Sequence, residues 1–391
     1  MKPLGPVVGE SLAERVRAAV AVAAEHAETV DRDGRFPAEA VQAMRAGRLL
    51  GVAVPPEHGG EGASLAELAS ICSSLGAACA SAGMVFAMHQ INMANLIDCG
   101  LESAWCRELL QRAVADQLLF ASATTEAGVG GDLRQSICAV ECDGQRFTLA
   151  KTAPVISYGE QADAIFATAR RDPDAPSSDQ VLVVLMADAC QLERFTTWDA
   201  LGMRGTCSHG YRLKGEGEAG QILPKPFADI AAESMVAISH LLWSSVWAGV
   251  AGDAVARAQA LVTAEAKKQP GALPPSAPKL AEAFTRLRMI EGTIAECLAR
   301  WEEARANPGA SSLSLALAMN ALKVAVSTTA LEVVDACLMI AGLQGYKNGG
   351  PFSLGRHLRD IHSARLMIGN DRILASAGQL LLVQRKPARK A

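Results

Sequence analysis

Residues 118–169 open as LLFASATTEAGVGGDL (118–133), pass a turn at CDGQRF (142–147) and close as LAKTAPVISYGEQADAIFATA (149–169). The first part reads as a strand, LLFASAT, running into a loop with Gly128, Gly130 and Gly131 closed by Asp132. Glycines let backbone N–H groups approach an anion with no Cβ in the way. Thr124, Thr125 and Ser157 are small hydroxyls able to donate to or accept from a polar ring edge. By spacing alone the loop is a turn. It is not a dinucleotide GxGxxG, because no helix-period pattern follows it.

Outward from this stretch the period stays at two. LLFASAT, SICAVE, RFTLAK, AIFATAR, QVLVVLM and QILPKP are strand candidates, and RRDPDAPSSDQ is a loop by composition. No long helix interrupts them, which predicts an antiparallel β-barrel or sandwich rather than a βαβ sheet. Before it, from Ser11 to about Gly100, the spacing is helical. Leu12, Val16, Ala19, Val20 and Ala23 form one stripe, Pro37 suits a first helical turn, Gly51 is placed after the last, and Ser64 with Glu67 makes a capping box. After about Ala228 it is helical again, with NALKVAVSTTALEVVDACLMIAG apolar around most of its circumference. The predicted organisation is three domains: an N-terminal α-helical domain (1–117), a middle antiparallel β-barrel domain (118–227) and a C-terminal four-helix bundle (228–391).

The 391 residues suffice for this plan. Half are apolar and the net charge is −4 without a block of like charge, which argues against nucleic acid as a partner. Ten scattered cysteines without metal spacing predict no metal site and small buried thiols in a reducing cytoplasm. The N-terminus reads as no signal peptide. The uncharged run SMVAISHLLWSSVWAGVAG is long enough to span a bilayer, but its serines, glycines and His240 predict a buried helix and no membrane partner.

TTEAGVGGD resembles the TEPxAGSD signature of the acyl-CoA dehydrogenase flavoproteins. LAKTAPVISYGEQADAIFATAR lines up without a gap on that family's LNGKKFWISNGGIADVFLVFAR type of segment. FPAEAVQAMRAGRLLGVAVPPEHGGEG resembles its first-domain phrase FPxExxxxLxExGLLGxxVPxxxGGxG, and WDALGMRGTCSHGYRL resembles its LGxRxTxS segment. The resemblance covers about residues 10–385 and implies FAD between the β domain and the C-terminal bundle, with a partner subunit over its phosphates. Carried across, it places Thr124 and Thr125 at the flavin's pyrimidine edge. Gly130 and Gly131 fall at the phosphates or the substrate thioester, and Ile156 and Ser157 against the ring. Lys267 stands where the family has the arginine of the pyrophosphate, and Gly342 lies in IAGLQGYKNGG, which resembles xGGxGY. An acyl-CoA or acyl-carrier-protein substrate, a homodimer or homotetramer and an electron-transfer flavoprotein partner follow from the resemblance alone.

The departure lies at the base. Dehydrogenation of an acyl thioester needs a carboxylate over the ring. The family's Glu-Gly-Thr turn reads here Ile368, Gly369, Asn370, with Asn370 expected among the cofactor-binding residues, and its second location reads Ser239. The nearest alternatives are Asp371, Asp360, Glu233 and His362, with His89 a further catalytic candidate if the histidine faces a ligand rather than the core. With no carboxylate in place, a flavin monooxygenase of the same fold, using FMN, reduced flavin and O₂, stands as the alternative. A non-catalytic flavin or acyl-CoA binder is a further one.

Overall fold

A computed structural model describes residues 10–307 and 312–383. The N-terminal helices are α1 (Leu12–Asp33), α2 (Ala38–Ala46), α3 (Leu65–Ala78), α4 (Ala80–Cys99) and α5 (Ala104–Asp116). Ser64 accepts from the Glu67 N–H while the Glu67 carboxylate accepts from the Ser64 N–H, so the capping box at α3 forms. α2 stops at Gly47 rather than near Gly51. A Cβ on Gly51 would come within 3.1 Å of Gln117 and Val114, so this glycine serves close packing and not a helix end.

Seven strands follow among the described residues: β1 (Phe120–Ala123), β2 (Val140–Asp143), β3 (Arg146–Ile156), β4 (Ala164–Arg170), β5 (Gln180–Met186), β6 (Cys190–Thr196) and β7 (His209–Glu218). They form two sheets, ordered β1-β4-β5 and β2-β3-β7-β6. The expectation of wholly antiparallel pairing fails where β1 and β4 run parallel, Phe120 opposite Ala164, and at the parallel bridge Ala139 to Arg170. The chain leaves β1, builds β2 and β3 in the second sheet, and returns beside its starting strand. QILPKP is not a strand; it meets the sheet at the bridge Val183 to Ile222 and through the Gln221 side chain, which donates to Val184 O at 2.7 Å. β4 and β5 are buried at nearly every position, as suits strands covered on both faces.

The described residues cluster into two compact units, one ending at Ser239 and the other beginning at His240. In the first, helices and sheet share one core. Met93, Leu96, Leu109 and Leu110 pack with Phe120, Phe166, Leu182 and Val184, and with Phe227 and Ile230 of the short helix α6 (Phe227–Ile230). A π-turn (Ala231–Met235) leads into α7 (Val236–Ala266).

The second unit holds most of α7, then α8 (Ala277–Ala306), α9 (Ser312–Tyr346), α10 (Gly355–Ile361), α11 (Ser363–Leu366) and α12 (Asn370–Val383). Among the described residues, two helical stretches are long and apolar enough to cross a membrane, 227–266 and 313–346. The most apolar window of the first is 83% buried inside the protein. Within it His240 is buried, its Nδ1 3.0 Å from the Met319 carbonyl, and burial lowers its pKa to about 4. Neutral histidine donating to a carbonyl is what an apolar helix interior tolerates.

Candidate flavin site

The glycine loop is held from beneath. Glu126, 6% exposed, accepts from the N–H groups of Ile137 (3.1 Å) and Cys138 (2.7 Å). Lys151 Nζ lies 3.6 Å from that carboxylate and donates to Thr168 O and Oγ1 at 2.7 and 3.0 Å. Burial pushes the Lys151 pKa down, against the pull of Cys138 and Glu126. The loop is further tied to β3 by the Ala127 N–H donating to Thr152 O. Neither Glu126 nor Lys151 stood among the expected site residues. The signal was present: Lys151 falls on the buried face of β3, between Leu149 and Ala153, where a charge needs a partner.

Gly128, Gly130 and Gly131 have φ of 96°, 62° and 76°. A Cβ on Gly130 would meet nothing within 4 Å, so backbone conformation rather than crowding favours glycine there. Thr124 and Thr125 are half-buried at the end of β1. Thr125 Oγ1 donates to Val155 O at 3.0 Å, joining the loop to the end of β3. Ser157 is 7% exposed and its Oγ lies 2.8 Å from Ser208 Oγ. Loop and strand end therefore meet, as the aligned blocks imply. One placement changes: Ile156 is fully buried, and a Cβ on Gly159 would sit 2.9 Å from its Cγ2. Its side chain points into the core, so it is Val155, 36% exposed, that presents apolar surface at this edge.

His89 is a core residue, not a ligand-facing one. It is fully buried; its Nδ1 accepts from the Phe120 N–H at 3.0 Å, so Nε2 carries the hydrogen donated to Leu50 O at 2.8 Å. Burial lowers its pKa to about 4. Arg204 donates to Asp31 O and Ala200 O, tying residues 199–204 to α1 rather than pairing at the surface alone. Ser239, 2% exposed, donates to Met235 O at 2.5 Å.

In the second unit the Ile368–Gly369–Asn370 turn is pinned by a buried cation. Lys323 Nζ donates to Ile368 O (2.7 Å) and to Asn370 Oδ1 (2.8 Å), and lies 5.8 Å from the centre of the Trp247 ring. Asn370 Nδ2 donates to Ser327 Oγ at 3.0 Å. Ile368 adopts a φ of 52°, costly for a β-branched residue and held by these bonds. Asn370 is thus occupied by the protein. Asp371 and His362 are both exposed in the single chain, outside the dry surroundings a tuned base requires. Gly342 sits at a kink in α9, φ 55° and ψ −136°, and Lys267 is exposed just beyond α7.

A flavin suits the first unit's edge: left-handed glycines for an anion, an apolar side chain for a ring face, and two hydroxyls for its polar rim. The fold is that of a family of flavin-dependent oxidoreductases. The chain belongs to the acyl-CoA dehydrogenase family: residues 9–131 match its N-terminal domain and residues 228–378 its C-terminal domain. Among curated relatives, L-evernosamine nitrososynthase of a Micromonospora species is 27% identical over 386 residues, covering 94% of this chain and 87% of that one. Among solved structures, KijD3 in complex with FMN and dTDP-3-amino-2,3,6-trideoxy-4-keto-3-methyl-D-glucose superposes with a TM-score of 0.83 at 22% identity, over 98% of this chain and 97% of that one. Dibenzothiophene monooxygenase (TdsC) of Paenibacillus sp. A11-2 gives 0.79 at 19% identity, over 95% and 98%.

Proposed function

We propose that the protein is a flavin-dependent monooxygenase on the acyl-CoA dehydrogenase scaffold, one that takes reduced FMN and oxygenates an amine, an amino sugar foremost. The observation that carries this reading is the chemistry at the two positions where a dehydrogenase keeps its carboxylate. One is Ile368, whose carbonyl accepts from Lys323; the other is Ser239, whose hydroxyl hydrogen goes to Met235 O. Neither side chain takes a proton from carbon. Monooxygenation asks for none: reduced flavin, O₂ and R–NH₂ give oxidised flavin, R–NHOH and water. When bound, the flavin supplies the electron pair that activates oxygen. The chain's share is to bind, orient and exclude water. The loop at Gly130 and Gly131 would receive phosphate, Thr125 and Ser157 the polar rim, and Val155 one face of the ring. L-evernosamine nitrososynthase, a curated relative matched over 94% of this chain, supports an amine substrate.

The family itself supports a second reading, FAD-dependent dehydrogenation of an acyl thioester coupled to an electron-transfer flavoprotein, with Asp371 as base. A homo-oligomer fits either, since Met339, Leu343, Tyr346, Leu374, Leu381 and Leu382 are exposed apolar side chains of the second unit. A cytoplasmic setting fits the free state of all ten cysteines. The test is direct. The protein loaded anaerobically with reduced FMN is mixed with oxygenated buffer and a dTDP-amino sugar, and the product is weighed by mass spectrometry. A gain of one oxygen supports the proposal. No gain, together with anaerobic bleaching of the bound flavin by an acyl-CoA, overturns it in favour of the dehydrogenase.

A further inference from the structure

Ser157 is the first member of a chain of three buried hydroxyls. Its Oγ lies 2.8 Å from Ser208 Oγ, which lies 2.7 Å from Thr206 Oγ1, which lies 2.9 Å from Met203 O. Each hydroxyl owns one hydrogen, and a carbonyl only accepts. Met203 O also takes the Trp198 Nε1–H at 3.0 Å and the Thr206 N–H at 3.1 Å, and with the Thr206 hydroxyl hydrogen directed there as well, one assignment satisfies every contact. Thr206 donates to Met203 O, so the hydrogen between Thr206 and Ser208 belongs to Ser208, and the hydrogen between Ser208 and Ser157 belongs to Ser157. The three residues are 7%, 5% and 3% exposed, in the order Ser157, Ser208, Thr206, which leaves little room for water to break the sequence. Thr125 is committed in the same sense, its hydrogen given to Val155 O. Both hydroxyls at the candidate flavin edge therefore spend their hydrogens inside the protein and offer lone pairs outward.

We propose that this edge reads the oxidation state of its flavin: Thr125 and Ser157 act as acceptors only, so the site holds the reduced ring in preference to the oxidised one, with Ser208 and Thr206 as the positioning residues that fix the polarity. The inference rests on the flavin reading above and deepens it. Two-electron reduction of an isoalloxazine places hydrogens on ring nitrogens that are bare acceptors in the oxidised form. An acceptor facing a bare nitrogen leaves both desolvated and unpaired, whereas the same acceptor facing N–H makes a hydrogen bond. Neither Ser157 nor Thr125 can rotate to suit the oxidised ring without giving up a bond already made. An enzyme that takes up reduced flavin from solution needs such discrimination; one that keeps its flavin through both half-reactions does not.

The test measures binding, not turnover. The full chain is titrated anaerobically with FMN and with FAD, each both oxidised and dithionite-reduced, and free flavin is read after ultrafiltration. The expected result is a dissociation constant about tenfold lower for the reduced form, one hydrogen bond's worth. That raises the midpoint potential of bound over free flavin by about 30 mV. Thr206→Val keeps the shape but removes the acceptor for Ser208, which then turns to Ser157 and releases that hydroxyl to donate outward. The ratio should fall towards one in this variant and persist in Thr206→Ser. Should Thr206→Val not fold, judged by circular dichroism, Ser208→Ala breaks the same sequence one step on. Equal or tighter binding of oxidised flavin by the unaltered protein, or a ratio indifferent to these changes, overturns the inference while leaving the flavin reading intact. Failure of both oxidation states to bind removes the flavin reading and this inference with it.

Discussion

Replacing Lys323 by methionine tests how the Ile368–Asn370 turn is held. The side chain is fully buried, and burial lowers its pKa from the ordinary 10.5 to about 8. The ammonium donates to Ile368 O at 2.7 Å and Asn370 Oδ1 at 2.8 Å. Charge-assisted bonds of this kind contribute about 1.5–3 kcal/mol each. Against them stands the cost of keeping the cation out of water, and methionine, of similar length, removes both terms together. Near neutral pH the two largely offset, and the substitution should cost about 1–2 kcal/mol of folding stability. The balance then shifts with pH. Between pH 8 and 10.5 the unfolded chain keeps the proton that the folded chain has released, so the stability of the unaltered protein rises with pH relative to the variant. The slope is at most about 1.4 kcal/mol per pH unit. Urea denaturation of both proteins at several pH values between 7 and 10.5, compared as differences, isolates this residue from the rest of the alkaline titration. A difference that stays constant across that window, or a variant as stable as its parent throughout, would refute the account of Lys323 as a buried, charged clamp.

On the acid side His89 and His240 are both neutral in the folded state, with pKa values near 4 against an ordinary 6.5. Their unfolded counterparts bind protons first, so stability is fully present above 6.5 and declines as pH falls from 6.5 to 4, by about 2.7 kcal/mol per unit for the pair. Thermal melts across that range check it, and a variant lacking either histidine should show about half the slope. Glu126→Gln turns one of the two acceptor oxygens into a donor facing either the Ile137 or the Cys138 N–H, and strips Lys151 of its countercharge, 3.6 Å away. A loss of about 2–4 kcal/mol is expected, with faster limited proteolysis in 124–137 than elsewhere; unchanged proteolysis there would mean the loop does not depend on this carboxylate.

The helix–strand–helix order was legible because each part has its own period. The capping box at Ser64 was legible because its two partners lie three residues apart. β7 escaped because glycine fills positions where its alternation would carry bulk: a Cβ on Gly215 would lie 2.8 Å from Leu185, and one on Gly217 2.6 Å from Gln221. β6 escaped because most of its residues face solvent, including Glu193 and Arg194. The parallel pairing of β1 with β4 has no local signature, since the partner lies 44 residues on, Phe120 against Ala164. For the same reason Asn370 could be located by motif, while the lysine holding it, 47 residues earlier in the chain, could not. His89 was ambiguous by pattern and was decided only by the two backbone groups that claim its ring nitrogens.

That parallel ladder has a practical use. Everything between its two strands is a single excursion that departs from and returns to one rung, and its far end is the hairpin at Asp143–Arg146, with Gly144 at φ 61° in open space. A reporter peptide spliced into that tip would hang well clear of the rung where the excursion is anchored. The same peptide placed after Ala123 would pry the rung itself apart.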